Sequence, residues 1–524
     1  MRLIPLFSAL VPLGEQFPVD SYYKLPAYVP KKVSIPRIQK HPAPVEDEAA
    51  RHIRETRQAA VRESFLHSWN GYKKNAWLSY EVLPLTGKRK DTYNGWAATL
   101  IDALDTLWIL DLKGEFMQAV RAVAPIDFTT PTHDEINVFE TTTRYLGGLL
   151  SAYEISGKEH RILLEKAVEL AEMLLGAFDT LNRVPISRWN WKDLSFEFTK
   201  LSQLTKNMNF YDAVQRIANE LELSQNSTLL PGLWPVAVNY FPKQYLLLGG
   251  AFQQPKQMYE RFIDVAKRHL FRRVLNPANF PVIVSGDVYV STQHLICFVG
   301  GMVGLSARIF DRPQDLDVAM QLTDSCVWAY NATASGIGPE GYTLAPCASI
   351  DDQWANKKCT YTDWKWRKAL QAHWGDSGPR PEDQRGPPPN EQETASGQKI
   401  TAIIRGERLP PGFIEISARG YKLRPEAIKS VFCMYRLTDD PAWMGKAWQM
   451  FVNVGKHTRT ETAAAQLLDA TLLELIKEDR MESFWFAETL KYSYLAFSDW
   501  DTVNLDEWVL NTEAHPLRRA DAPF

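Results

Sequence analysis

Cysteine is scarce in this chain. The five cysteines among 524 residues (Cys297, Cys326, Cys347, Cys359 and Cys433) form no C-x-x-C pair and no zinc-ligand spacing, which excludes a thiolate metal centre and a dithiol redox motif. Long apolar runs are also missing. No stretch reaches the roughly 18 uninterrupted apolar residues that a membrane helix needs. Leu3–Leu13, broken by Pro5 and Pro12, is instead similar to a signal-peptide core. Charge of one sign is absent too: 59 Lys and Arg against 62 Asp and Glu leave a net charge of −3, without the basic field of a nucleic-acid binder. The phosphate-cradling glycine loops, the H-E-x-x-H pair and the G-x-S-x-G elbow are not found. With 28 Gly and 32 Pro, the chain is neither collagenous nor disordered as a whole.

What is present is apolar and aromatic. Hydrophobic residues make up 45% of the chain and aromatics 12%, with 17 tryptophans, enough for one large core. Residues 14–45 are rich in Pro and Lys and read, with the signal-like start, as a stalk over 1–45. Amphipathic periodicity then predicts helices near 50–69, 97–114, 138–156, 159–180, 207–222, 253–272, 292–309, 313–330, 424–437, 441–456, 461–478 and 482–497. Strand signals are limited to Val282–Val290 and Phe413–Ile416. No fixed period marks a solenoid, so an all-α toroid of paired helices is expected. The body runs over 46–516 and a tail over 517–524. The Pro-, Gly- and Glu-rich segment 376–398 is a surface insertion within the body. Cys326, Cys347 and Cys359 share a loop-rich stretch that permits one disulfide, whereas Cys297 and Cys433 read as buried thiols. The sequons at Asn226 and Asn331 fit a secretory protein.

The chemistry-bearing feature is a set of carboxylates among apolar and aromatic residues: Glu140, Glu197, Glu426, Glu482 and Glu488. Each alone reads as readily as a helix charge or an ion pair, for instance Glu140 with Arg144 at i,i+4. Together, with no other nucleophile, they suit glycoside hydrolysis, where one carboxylic acid protonates the leaving oxygen and one carboxylate activates water. Glu140, beside Phe139 and ahead of an apolar helix, is expected to be desolvated and protonated. Glu426, after Arg424 and Pro425 at a helix start, is expected to stay ionised.

Seven blocks carry a resemblance: Asn94-Gly-Trp…Ile101-Asp-Ala-Leu-Asp-Thr-Leu107, Phe139-Glu…Arg144-Tyr-Leu-Gly-Gly-Leu-Leu-Ser-Ala-Tyr153, Phe196-Glu-Phe-Thr-Lys-Leu-Ser202, His294-Leu-Ile-Cys-Phe298, Leu423-Arg-Pro-Glu426, Glu482-Ser-Phe…Glu488-Thr-Leu-Lys-Tyr492 and Asn511-Thr-Glu-Ala-His515. In this order they resemble the class I α-1,2-mannosidases, glycoside hydrolase family 47. The resemblance implies an (αα)7 barrel with Ca²⁺ at its base, and inverting removal of α-1,2-linked mannose from the high-mannose N-glycans of glycoproteins. It implies Glu140 as general acid and Glu426 as general base. Arg144, Glu197, His294, Arg424 and Phe484 would line the sugar subsite. Thr512 would bind Ca²⁺ directly, and Glu488 and Glu513 through water. It also favours Cys326 as a bridged cysteine, with Cys347 or Cys359 as partner. The implied setting is the lumen of the endoplasmic reticulum or Golgi, or the exterior. A monomer is expected there, membrane-anchored if the chain extends upstream.

The chain departs from the family pattern at three places. No Asp or Glu stands between Pro231 and Ala251, where the family has a third catalytic aspartate. The connection between Asp193 and Leu194 is short. Lys429 stands where the family has a glutamate near calcium, and its positive charge would oppose the metal. A glycan-binding protein without turnover is therefore the alternative reading.

Overall fold

A computed structural model describes residues 16–27, 35–132, 135–181, 195–228, 230–233, 239–279, 283–286, 290–347, 359–375 and 395–520. The helices begin with α1 (Glu48–Ala76), α2 (Ala98–Asp102), α3 (Leu104–Ile109), α4 (Lys113–Val123), α5 (Val138–Glu140) and α6 (Gly147–Ile155). They continue with α7 (Arg161–Leu175), α8 (Ser195–Thr205), α9 (Met208–Ser224), α10 (Tyr240–Leu247), α11 (Gln254–His269) and α12 (Phe298–Ile309). The last six are α13 (Gln314–Ala332), α14 (Asp363–Trp374), α15 (Ala395–Gly406), α16 (Glu426–Thr438), α17 (Ala442–Thr458) and α18 (Leu490–Ala496). Two π-helical turns, Thr141–Leu146 and Trp485–Thr489, lead into α6 and α18.

Neighbouring packing closes a ring. The inner helices α3, α6, α8, α10, α12, α16 and α18 each pack on the next, and the π turn ahead of α18 returns to α3. Each has an outer partner: α4, α7, α9, α11, α13, α17 and α1 respectively. The seven pairs are the (αα)7 barrel. Apolar stripes explain the layering. On α1, whose first turn is capped by Asp47 accepting from the Ala50 amide at 2.7 Å, Phe65, Trp69 and Tyr72 are fully buried. Phe65 and Trp69 meet Phe486 edge-on at 5.1 and 5.7 Å, geometries that aromatic quadrupoles favour.

The short strands trim the ends of the barrel. Ser291–Gln293, Gly341–Leu344 and Phe413–Ala418 form an antiparallel sheet, so the expected strand at Phe413–Ile416 is present. Of the expected strand at Val282–Val290, Ile283–Ser285 pairs with Phe271–Arg273; 280–282 and 287–289 lie outside the described residues. The hairpin Trp508–Leu510 with Pro516–Arg518 enters one end of the barrel between α6 and α10. Among the described residues no helix is long and apolar enough to cross a membrane.

Several expectations need correction. The stretch 461–478 is not helical despite its Ala and Leu content. Tyr421 and Leu467 exchange backbone hydrogen bonds at 2.9 Å, and the Ala470 amide donates to the Arg419 carbonyl at 2.8 Å, so tertiary pairing overrides helix propensity. Helices α4, α8, α10, α14 and α15 were not anticipated. The Pro- and Lys-rich segment is extended where described, yet it docks on the barrel: Ile38 is fully buried and its amide donates to Asp506 Oδ1 at 2.6 Å. The signal-like stretch, the junction at 193–194 and residues 376–394 of the expected insertion lie outside the described residues.

The disulfides also differ. Cys326 is bridged, but to Cys297 and not to Cys347 or Cys359, which bridge each other. The antiparallel pair α12–α13 brings the Cα atoms of 297 and 326 to 5.9 Å, a bridging distance that linear spacing does not reveal. Cys433 alone of the five remains a buried thiol, pushed up to about 11 by burial.

Candidate active site

Glu140 closes α5, whose cap is Asn137: the Asn137 Oδ1 accepts the Glu140 amide at 3.2 Å, satisfying an orphan donor of the first turn. Its side chain is 19% exposed and receives Arg144 Nε at 2.5 Å. Glu140 is thus not wrapped in apolar groups as expected; the i,i+4 spacing places a guanidinium on it instead. Arg144 points inward. It donates to Ser483 Oγ at 2.8 Å, lies 3.4 Å from Asp102 and contacts Glu513. Its guanidinium also faces the rings of Phe484 at 5.6 Å and Tyr93 at 5.9 Å. Burial would discharge Arg144, but the charges of Glu140 and Glu513 outweigh it and hold its pKa well up.

Glu426 is the first residue of α16, with Pro425 as its cap. His294, in a tight turn ahead of α12, lies with Nδ1 at 3.0 Å from Glu426 Oε2 and Nε2 at 2.6 Å from the Tyr330 hydroxyl. Arg424 binds Glu340 at 2.6 Å and lies 3.9 Å from Glu426 Oε1. Burial raises the affinity of Glu426 for a proton, but the His294 hydrogen bond and charge, with Arg424, outweigh burial and hold its pKa below the usual carboxylate value. The carboxylate therefore stays ionised, though through side chains more than through the helix dipole.

Beneath these groups lies the turn Asn511–His515 of the inserted hairpin. His515 is clamped between Asp102 at 3.0 Å and Asp105 at 2.8 Å. Lys491 binds Asp105 at 2.8 Å, and Ser151 donates to Asp105 at 2.8 Å. Asp102, Asp105, Lys491 and His515 are all fully buried. Burial opposes both charges, yet the surrounding cations hold Asp105 down to about 2, and the two aspartates raise His515. Gly147 and Gly148 let α6 approach: a Cβ on Gly147 would sit 2.6 Å from Asn511 Nδ2, and one on Gly148 2.7 Å from the Ile101 carbonyl.

The sequence-predicted site residues converge on this end of the barrel. Electrostatic contacts link Glu513 to Glu140, Arg144 and Glu488, and Glu488 in turn to Glu426. Glu197 is fully buried and accepts Asn511 Nδ2 at 2.7 Å, which places it under the turn. Glu482 is held by Tyr80 and by Arg480 at 2.6 Å. Asp102, Ser483, Glu340, Tyr330 and Lys243 were not anticipated as site residues. The signal for Asp102 was two aspartates at i,i+3 inside an apolar helix.

Calcium takes six to eight oxygen ligands, with carboxylates supplying the balancing charge. The residues here do not fit it. The Thr512 carbonyl, an expected direct ligand, accepts Lys429 Nζ at 3.3 Å. The Asn511 and Ala514 carbonyls accept Lys243 Nζ at 3.2 Å and Lys491 Nζ at 2.8 Å. Glu513 is turned to Arg144. Burial, with Glu426 and Asp102 nearby, pushes Glu488 up to about 7 against the pull of Lys429 and Arg144. Helix α10 brings no carboxylate: it buries Lys243 and Gln244, and Gln244 donates to Thr199 Oγ1 at 2.8 Å.

Known proteins are similar to this chain in sequence and fold. The family model described as glycosyl hydrolase family 47 matches residues 64–241 and 239–519. Mannosyl-oligosaccharide 1,2-alpha-mannosidase IA of Sus scrofa is 30% identical over 514 residues, covering 89% of this chain and 68% of that protein. A probable mannosyl-oligosaccharide alpha-1,2-mannosidase 1B of Aspergillus fumigatus is 28% identical over 494 residues, covering 84% and 90%. The solved structure of the alpha-1,2-mannosidase from Trichoderma reesei superposes with a TM-score of 0.72 at 27% identity, covering 88% of this chain and 99% of that one. The two matched segments of the family model meet at α10, where the missing carboxylate would stand. With nearly the whole barrel matched in family order, this chain belongs to glycosyl hydrolase family 47.

Proposed function

We propose that this chain removes terminal α-1,2-linked mannose from high-mannose N-glycans of glycoproteins, with inversion. It would act as a monomer in N-glycan processing or glycoprotein quality control, in the endoplasmic reticulum or Golgi lumen or after secretion. The observation that carries the reading is Glu426, a buried carboxylate kept ionised by His294 and Arg424 and linked through Glu488 and Glu513 to Glu140. Glu426 takes a proton from water as the water attacks the anomeric carbon. The glycosidic bond breaks, and Glu140, which must hold a proton at that point in spite of its contact with Arg144, gives it to the leaving oxygen. Arg144 orients Glu140, while Phe484 offers an apolar face to the ring. The names of the relatives support the substrate class, and both sequon asparagines, Asn226 and Asn331, are exposed, as glycosylation in that lumen requires.

The test is release of mannose from a high-mannose glycan, with the anomer read by NMR before mutarotation. The β-anomer is expected. Folded protein that releases nothing, or that releases the α-anomer, overturns the reading. Glycan binding without turnover is the second reading, favoured by Lys243 and Gln244 on α10, where the family has its third catalytic carboxylate. Retention of the protein on immobilised high-mannose glycan, with no mannose released, would establish it.

A further inference from the structure

We infer that the ammonium of Lys429 is a built-in cation that takes the place of calcium at the Asn511–His515 turn, so that this barrel assembles without a divalent ion. Lys429 stands three residues after Glu426 on α16, on the same helix face, and both side chains are largely buried. Its stem passes the Tyr492 ring, with Nζ 5.7 Å from the ring centre, and its Nζ reaches the Thr512 carbonyl at 3.3 Å. A lysine ammonium is a compact point charge with three donors; it satisfies a carbonyl that a metal would otherwise polarise. The replacement is not isolated. Lys243, also buried, holds the Asn511 carbonyl at 3.2 Å, and Lys491 holds that of Ala514 at 2.8 Å. Three carbonyls of the turn, those of Asn511, Thr512 and Ala514, are thus held by three ammonium groups, and Arg144 takes the Glu513 carboxylate. A dication entering here would meet like charge at close range in a low-dielectric interior and would find the turn carbonyls and the Glu513 carboxylate already engaged.

This inference stands independently of turnover, because it is read from metal uptake without substrate. The purified full chain is titrated with CaCl₂ by calorimetry, and its Tm is compared in EDTA and in millimolar calcium. No saturable heat and Tm values within about 1 °C of each other are expected, since a ligand that does not bind the native state cannot stabilise it. Uptake of one equivalent of calcium with a raised Tm overturns the inference. Lys429→Glu returns a carboxylate to the position and should tighten calcium binding by at least about a hundredfold, within the range that ligand charge commands. If Lys429→Glu folds and binds calcium no better than the parent, the inference is also overturned. Should that variant fail to fold, the parent titration decides alone.

Discussion

Lys491→Met tests whether the buried charge cluster holds the barrel floor. Lys491 and Asp105 lie 2.8 Å apart with both side chains fully buried, and Lys491 also satisfies the Ala514 carbonyl. Removing one partner of such a pair costs about 3–5 kcal/mol, because a charge is left uncompensated. Unfolding entropy near 2.1 cal/mol/K per residue gives about 1 kcal/mol/K for a chain of this size. A loss of about 4 kcal/mol therefore lowers Tm by about 4 °C, measurable by calorimetry. In an Asp105→Asn background the same substitution should cost about half as much, since no charge is stranded. The pH dependence carries a sign on each side. Asp105, ordinarily near 3.8 and held to about 2, contributes stability that is present above pH 3.8 and is lost as pH falls through 2. His515, raised above 6.5, contributes stability that is complete below 6.5 and is lost as pH rises through its folded value. Stability should thus plateau between about pH 4 and 6.5. A Tm within 1 °C of the parent, or an equal loss in the Asp105→Asn background, refutes the reasoning.

Four further outcomes follow from the geometry. Glu140→Gln should lose activity on natural glycans but recover much of it on a mannoside with a good leaving group, whereas Glu426→Gln should lose about 10²-fold or more on both; identical responses would reverse or void the two roles. Arg424→Met removes a charge that holds Glu426 down, so the acid limb of the kcat/KM profile should move to higher pH, and an unmoved limb would disconnect Arg424 from the base. Gly147→Ala should cost about 1–3 kcal/mol by overpacking against Asn511 and His515, seen as a lower urea midpoint. Cys326→Ser opens a bridge spanning 29 residues and should lose about 3–4 kcal/mol in the chain-entropy model, more than Cys359→Ser, whose bridge spans 12.

How much of this was legible in the sequence depends on whether the signal was local. Most of the helical hairpins of the barrel announce themselves by apolar periodicity, and the strand at Phe413–Ile416 by its apolar run. The segment 461–478 misled because Leu467 and Ala470 pair with Tyr421 and Arg419, far away in sequence. Helix α10 was hidden by Pro242 and by its shortness. Glu140 and Glu426 stand out as carboxylates near helix starts, and the i,i+4 spacing offers Arg144 to Glu140, but nothing local shows that His294 rests on Glu426. Cys297 lies in an apolar run that looks like a core thiol; only the antiparallel return of α13 makes it a disulfide partner. Lys429 was visible as a cation in the wrong place, yet its carbonyl partner on the inserted hairpin required the closed ring.

That closure has a consequence for biogenesis. The contact between Asp102 and His515 joins residues 413 positions apart. At ribosomal speeds of about 5–20 residues per second, the helix bearing Asp105 waits tens of seconds before its counter-charges, Lys491 and His515, are even synthesised. During that interval the nascent toroid is an open crescent with acidic side chains facing an unfinished lumen. Its edges are apolar helices not yet covered. Apolar surface left open for that long is aggregation-prone until the final hairpin arrives and locks the ring. Substitutions that slow the docking of Asn511–His515 should then lower the yield of folded protein well before they alter the melting temperature of the molecules that do mature.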